Sequence, residues 1–154
     1  MPRDMSGLVA LVTGGGKGIG AAIAVELASR GADVAINYRT DRQAAETTAQ
    51  QIIAAGRRCV AMPADVSQED AVCGLVHAVP DQLGSVDLLG NNAAYTRMVP
   101  PQQLDLKIWR KMFSANVEAP SHLMWLLQDD LRRSGPAARW STSRRWRRSN
   151  PTRR

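Results

Sequence analysis

Thr13-Gly14-Gly15-Gly16-Lys17-Gly18-Ile19-Gly20 is the stretch whose reading decides the fold. It follows the apolar run Leu8-Val9-Ala10-Leu11-Val12 and leads into Ala21-Ala22-Ile23-Ala24-Val25-Glu26-Leu27-Ala28. That order reads as a buried strand, a glycine turn and a helix. Glycine permits a tight turn, and its missing Cβ lets an anion approach the backbone. The helix start adds unpaired N–H groups and the positive end of the dipole. The plain alternative is a glycine-rich turn with no ligand, so the rest of the chain has to decide.

The alternation of strand and helix continues. Gly31 sits where a C-cap glycine belongs, and Asp33-Val34-Ala35-Ile36-Asn37-Tyr38 reads as a second strand. Thr40 or Asp41 is placed to cap a helix through Ala44, Ala45, Thr48, Ile52 and Ile53, closed by Gly56. Cys59-Val60-Ala61-Met62 is a third strand, ending in Pro63-Ala64-Asp65-Val66. Ser67 with Asp70 resembles a capping box before a helix to about Leu83, which Pro80 should end or kink. Val86-Asp87-Leu88-Leu89 is a fourth strand leading to Asn91-Asn92-Ala93-Ala94. A helical pattern then runs from about Leu104 to Leu131, bent near Pro120. Four such repeats imply an α/β fold with a parallel sheet and right-handed crossovers. The glycines, Asp65 and the Asn-Asn pair all fall at the carboxyl ends of strands, where such sheets bind ligands.

At 154 residues the chain is one domain's worth, and no apolar run approaches a membrane span. Its start lacks an apolar signal region, so a cytoplasmic protein is expected. Cys59 and Cys73 have neither metal-ligand company nor a disulfide framework, and His77 and His122 read as structural. The net charge of +6 is unevenly placed: residues 132–154 hold nine arginines and no acid, while the remainder carries 11 Lys/Arg against 14 Asp/Glu. Two compositions meet there. The expected division is residues 1–131 as a nucleotide-binding domain, incomplete, and 132–154 as an Arg-rich disordered tail.

Over about residues 6–131 the sequence resembles the short-chain dehydrogenase/reductase family. Thr13-Gly14-Gly15-Gly16-Lys17-Gly18-Ile19-Gly20, Asp65-Val66, Asn91-Asn92-Ala93-Ala94 and Asn116-Val117 carry the likeness, in the family's order and spacing. The resemblance implies a Rossmann-type doubly wound parallel sheet, here truncated to about four strands. It implies an oxidoreductase moving a hydride between a nicotinamide cofactor and a small-molecule carbonyl or alcohol. By the same resemblance Thr13, Gly14, Gly16, Gly18, Ile19 and Gly20 would form the turn under the pyrophosphate. Asp65 and Val66 would hold the adenine, and Asn92, Ala93 and Ala94 would lie by the ribose. Ala94 stands where the family has glycine, and Gly90 where it has a β-branched residue.

An acid ending the second strand would accept from a ribose 2′-hydroxyl and repel a 2′-phosphate. That strand ends in Asn37-Tyr38-Arg39, and Lys17 lies in the glycine loop, so NADP(H) is favoured over NAD(H).

Asn116 matches the family's catalytic asparagine, which anchors a water. The rest of the catalytic set is absent from this chain. Four residues beyond the only tyrosines, Tyr38 and Tyr95, stand Arg42 and Val99, and no lysine follows Lys111. One permitted translation of residues 139–153 in another frame resembles the family's fifth strand and catalytic serine. A frameshift after about residue 135 is therefore expected, giving a truncated and inactive reductase. A non-catalytic NADP(H)-binding protein is the alternative. The tail's nine arginines with Trp140 and Trp146 could engage nucleic acid, the least supported reading. Family members commonly form homo-oligomers, which a missing second half makes doubtful here. The fourth strand is also expected to become an unpaired, aggregation-prone edge.

Overall fold

The computed structural model describes residues 4–135 and, as backbone, Arg139–Thr142. Five strands form one parallel sheet: β1 (Val9–Val12), β2 (Asp33–Tyr38), β3 (Cys59–Pro63), β4 (Leu88–Asn91) and β5 (Arg139–Thr142). Their order is β3-β2-β1-β4-β5, so the direction of winding reverses beside β1. The helices are α1 (Gly18–Ser29), α2 (Arg42–Ala54), α3 (Glu69–Gln82), α4 (Leu106–Phe113), α5 (Ala119–Leu126) and α6 (Gln128–Arg133). A one-turn π-helix, Ser114–Glu118, links α4 to α5.

β1 is buried along its whole length, and β2 along all but its last residue. Strands covered on both faces need apolar residues at consecutive positions, which is why they read as runs without alternation. Ala10, Val12, Val34 and Ile36 face one way, with Ala24 and Ala28 of α1 and Ala45 and Ile52 of α2. Leu11, Ala35 and Leu89 face the other way, against Val72, Leu75, Val76 and Val79 of α3 and Leu123 of α5. The result is a doubly wound α/β fold. Small alanines on α1 let it lie close to the sheet, directly behind the glycine turn.

Buried polar groups lock the strand starts. Asp33, 5% exposed, accepts from the Arg57 guanidinium at 2.8 Å, from the Arg58 guanidinium at 2.8 Å and from the Arg58 backbone at 3.0 Å. Asp87 receives the Val9 amide at 2.8 Å and the Ser134 hydroxyl, tying β1 and the end of α6 to the entrance of β4.

Several expectations are corrected at element scale. The sheet has a fifth strand: Arg139–Thr142 pairs with β4 in the register Leu88↔Arg139 to Asn91↔Thr142. β4 is therefore an inner strand, and part of the stretch expected to be disordered completes its hydrogen bonding. Residues 143–154 lie outside the described residues. The Ser67–Asp70 capping box does not form. Ser67 turns back to Asp65, its hydroxyl donating at 2.7 Å and its amide at 3.0 Å, and α3 starts later with no side-chain cap. Pro80 does not end α3, which continues to Gln82. Its carbonyl accepts the Gly84 amide at 3.1 Å, so the proline falls in a last turn that needs few further bonds. The irregularity expected at Pro120 lies one turn earlier, in the π-helix around Asn116. No described helix is long and apolar enough to cross a membrane.

Candidate functional site

The glycine turn closes the carboxyl end of β1 and is held from three sides. Thr13, 2% exposed, anchors the first side: its hydroxyl accepts the amides of Asn92 at 3.0 Å and Ala93 at 3.1 Å. The Asn92 side chain returns the contact, donating to the carbonyls of Thr13 at 3.2 Å and Gly14 at 3.1 Å. From β2, Asn37 accepts the Gly14 amide on its side chain at 3.3 Å and the Gly15 amide on its carbonyl at 2.9 Å. From α2, the Thr48 hydroxyl donates to the Gly16 carbonyl at 3.0 Å.

Two glycines are required by this packing. Gly14 has φ of 62°, and an added Cβ would lie 3.0 Å from Ala93 Cα. At Gly20 an added Cβ would fall 2.1 Å from the Gly14 carbonyl oxygen, which no rearrangement of a side chain can relieve. Lys17 takes the N-cap position of α1, where an ammonium has no acceptor to offer the helix, and its charge lies at the lip of the pocket beside Asp41. Ile19 is 71% exposed at the start of α1, an aliphatic surface that a bound ligand would cover.

In front of the turn is a cavity of about 360 Å³, bounded by the ends of β1, β2, β3 and β4. Of the residues proposed from sequence, Gly14, Gly16, Lys17, Arg39, Asp65, Val66, Asn92, Ala93 and Ala94 line it together. Thr13 is buried beneath it. Gly18, Ile19 and Gly20 form the first turn of α1 beside it rather than its wall. Asn116 also stands back from the cavity. Its side chain accepts the Tyr95 amide at 3.0 Å and donates to the Tyr95 carbonyl at 2.8 Å, fixing the loop after β4 against the π-helix.

The electrostatics are mixed. Asp65 is pushed up by partial burial, but the Ser67 hydroxyl and amide, Lys111 and Arg39 outweigh this and hold its carboxyl below the usual range. Lys111 lies 3.6 Å from that carboxylate. The Lys111 ammonium and the Arg39 guanidinium sit 5.2 and 5.9 Å from the Tyr95 ring centre. Lys17 pairs with Asp41 at 3.2 Å. Burial pushes the Cys59 thiol up to about 11, so it stays protonated and unreactive. Among the described residues there is no His, Cys, Asp and Glu group suited to a metal ion.

Among the lining residues not singled out from sequence for the site are Asn37, Asp41 and Tyr95. Asn37 had a signal, since a polar side chain inside an otherwise apolar buried strand must find partners. Asp41 was legible only as a helix cap, which it is, accepting the Ala44 amide at 3.2 Å. Its second contact, to Lys17, spans 24 residues and has no local signature.

A family model described as short chain dehydrogenase matches residues 8–138. The short-chain dehydrogenase/reductase homolog YusS of Bacillus subtilis is 46% identical over 97 residues, covering 63% of this chain and 89% of that protein. Hydroxynaphthalene reductase arp2 of Aspergillus fumigatus is 37% identical over 131 residues, 85% of this chain and 48% of that one. A crystal structure of a short chain dehydrogenase from Burkholderia cenocepacia in complex with NADP superposes with a TM-score of 0.79 at 38% identity, covering 82% of this chain and 52% of the other. The chain thus spans about half the length of the last two and nearly all of the first. Sheet order, glycine turn and sequence likeness agree, and the chain belongs to the short chain dehydrogenase family.

Proposed function

We propose that this chain binds NADP(H) as the cofactor half of an oxidoreductase acting on a small carbonyl or alcohol compound. By itself it is a binding protein without turnover. The observation that carries the reading is the cavity in front of the glycine turn, which has two cations, Lys17 and Arg39, among its lining residues. The residues fit such a ligand. Gly14 and Gly20 pack against Ala93 and the Gly14 carbonyl, which keeps the turn tight beside the cavity, and α1 begins there without a side-chain cap. Asp65 and Val66 offer a polar edge and an apolar face suited to adenine. Lys17 and Arg39 suit a 2′-phosphate through charge-assisted contacts. The solved relative from Burkholderia cenocepacia contains NADP, which supports the same reading.

When bound, the nicotinamide ring of such a cofactor supplies or accepts a hydride. The residues of this chain bind and orient. Asn116 acts through Tyr95, holding the loop that forms one wall. Proton transfer to the substrate oxygen needs an acid, and the chain has no Tyr-x-x-x-Lys pair to provide one.

Fluorescence titration of the purified chain with NADPH and NADH tests this. Saturable binding is expected, tighter for NADPH, with no oxidation of NADPH in the presence of ketone substrates. Lys17→Ala and Arg39→Ala should each weaken NADPH about tenfold and leave NADH nearly unchanged. Equal affinities insensitive to both substitutions would overturn the NADP(H) assignment, and measurable turnover would overturn the non-catalytic one.

A further inference from the structure

We propose that Asp41 is a specificity-determining residue of this pocket, opposing the 2′-phosphate that Lys17 and Arg39 favour. The inference rests on the dinucleotide reading and goes beyond it. In α/β sheets of this kind the 2′ position of the adenosine ribose is read at the end of the second strand. Here that place is formed by Tyr38, Arg39, Thr40 and Asp41, all lining the cavity. Asp41 is fixed there by its own helix, since one carboxylate oxygen accepts the Ala44 amide at 3.2 Å. The other oxygen lies 3.2 Å from Lys17 Nζ. The carboxylate therefore cannot swing away without uncapping α2.

Two consequences follow from charge alone. Lys17 is already partnered, so a phosphate arriving at the lip has to share it. The phosphate also meets a fixed negative charge in the same cavity. Both effects act only on a ligand carrying charge at the 2′ position. A 2′-hydroxyl meets no penalty, and it can donate to the same carboxylate. Asp41 is 45% exposed and Lys17 72%, so the pair adds little to stability and the Lys17 side chain is free to leave it when a ligand binds. The Ala44 amide and Lys17 both hold the Asp41 carboxyl below its usual range, which keeps it charged throughout the neutral region.

The test is Asp41→Asn, which keeps the capping oxygen and removes the charge. Dissociation constants are measured for NADPH and NADH, and for the fragments 2′,5′-ADP and ADP, by titration calorimetry on the folded chain. Glu46→Gln makes the same charge change one helical turn further along α2 and serves as the control. In Asp41→Asn the preference for NADPH over NADH should rise about tenfold, with the fragments following and the control shifting less than about twofold. A ratio that stays within about twofold of wild type overturns the proposal, as does an equal shift in the control. If the wild-type chain binds none of the four ligands, the dinucleotide reading itself fails and takes this inference with it. Asp41→Ser, another capping residue, guards against a folding artefact specific to Asn and should reproduce the shift.

Discussion

The Thr13 hydroxyl donates to Gly90 and accepts from Asn92 and Ala93, so one buried side chain joins the carboxyl ends of β1 and β4. Thr13→Val keeps the shape and strands two amides. A loss of about 2 kcal/mol is expected in denaturant unfolding, with weaker dinucleotide binding because the turn loses its anchor. Gly20→Ala should act differently, abolishing binding through a clash with the Gly14 carbonyl. At this scale the sequence was most readable where chemistry is local. The glycines, Asp65 and Asn92 stand out by their place at the strand ends, and Asn116 only by the family resemblance. Asn37 offered only the general signal of a polar residue in an apolar strand and Asp41 only that of a cap, because their contacts to the glycine turn come from other elements.

Among elements, α3 carries a correctable weakness. Gly74 lies in its interior, and an added Cβ would meet nothing within 4 Å. Gly74→Ala should therefore stabilise the fold by about 1 kcal/mol, seen as a raised thermal midpoint with unchanged ligand affinity. Gly90 in β4 is similar. An added Cβ would meet a Val12 methyl at 3.5 Å, an ordinary contact, so Gly90→Ala should also stabilise, by about half that amount. The four leading strands could be read from the chain because each is built on a short apolar run between turn residues. β4 came out two residues later than expected, since Val86 and Asp87 serve as its lead-in, with the Asp87 carboxylate taking the Val9 amide. β5 could not be read at all. Arg139-Trp140-Ser141-Thr142 has no strand-like alternation of its own, and it is placed by the hydrogen-bonding edge that β4 offers.

For the molecule as a whole, Asp33 is the most buried of the carboxylates that contribute to the response to acid. Burial raises its pKa, but the Arg58 backbone and the Arg58 and Arg57 guanidinium groups overcome this and leave it lowered. A carboxyl whose folded pKa lies below its unfolded value contributes fully above the unfolded value of about 3.9 and loses that contribution as pH falls through the folded one. Asp33→Asn should cost about 2 kcal/mol at neutral pH, discounted for the solvent exposure of Arg58. The difference from wild type should shrink in unfolding experiments below about pH 4 and vanish when both are protonated or neutral. One exposed surface remains without a described covering: Leu106, Trp109, Phe113, Val117 and Trp125 along α4, the π-helix and α5 are each at least 40% exposed.

The bonds between Thr13 and Asn92 also impose an order in time. β1 and the glycine turn leave the ribosome early, yet the residues that brace them arrive 79 positions later. Until then the nascent turn has Asn37 and Thr48 on one flank and nothing on the other. Any cofactor cradle can mature only after Ala93 has emerged, so the first feature to be synthesised is among the last to become rigid. Translation stalled before that point should yield chains that dinucleotide cannot protect from proteolysis, whereas chains released beyond it should be protected.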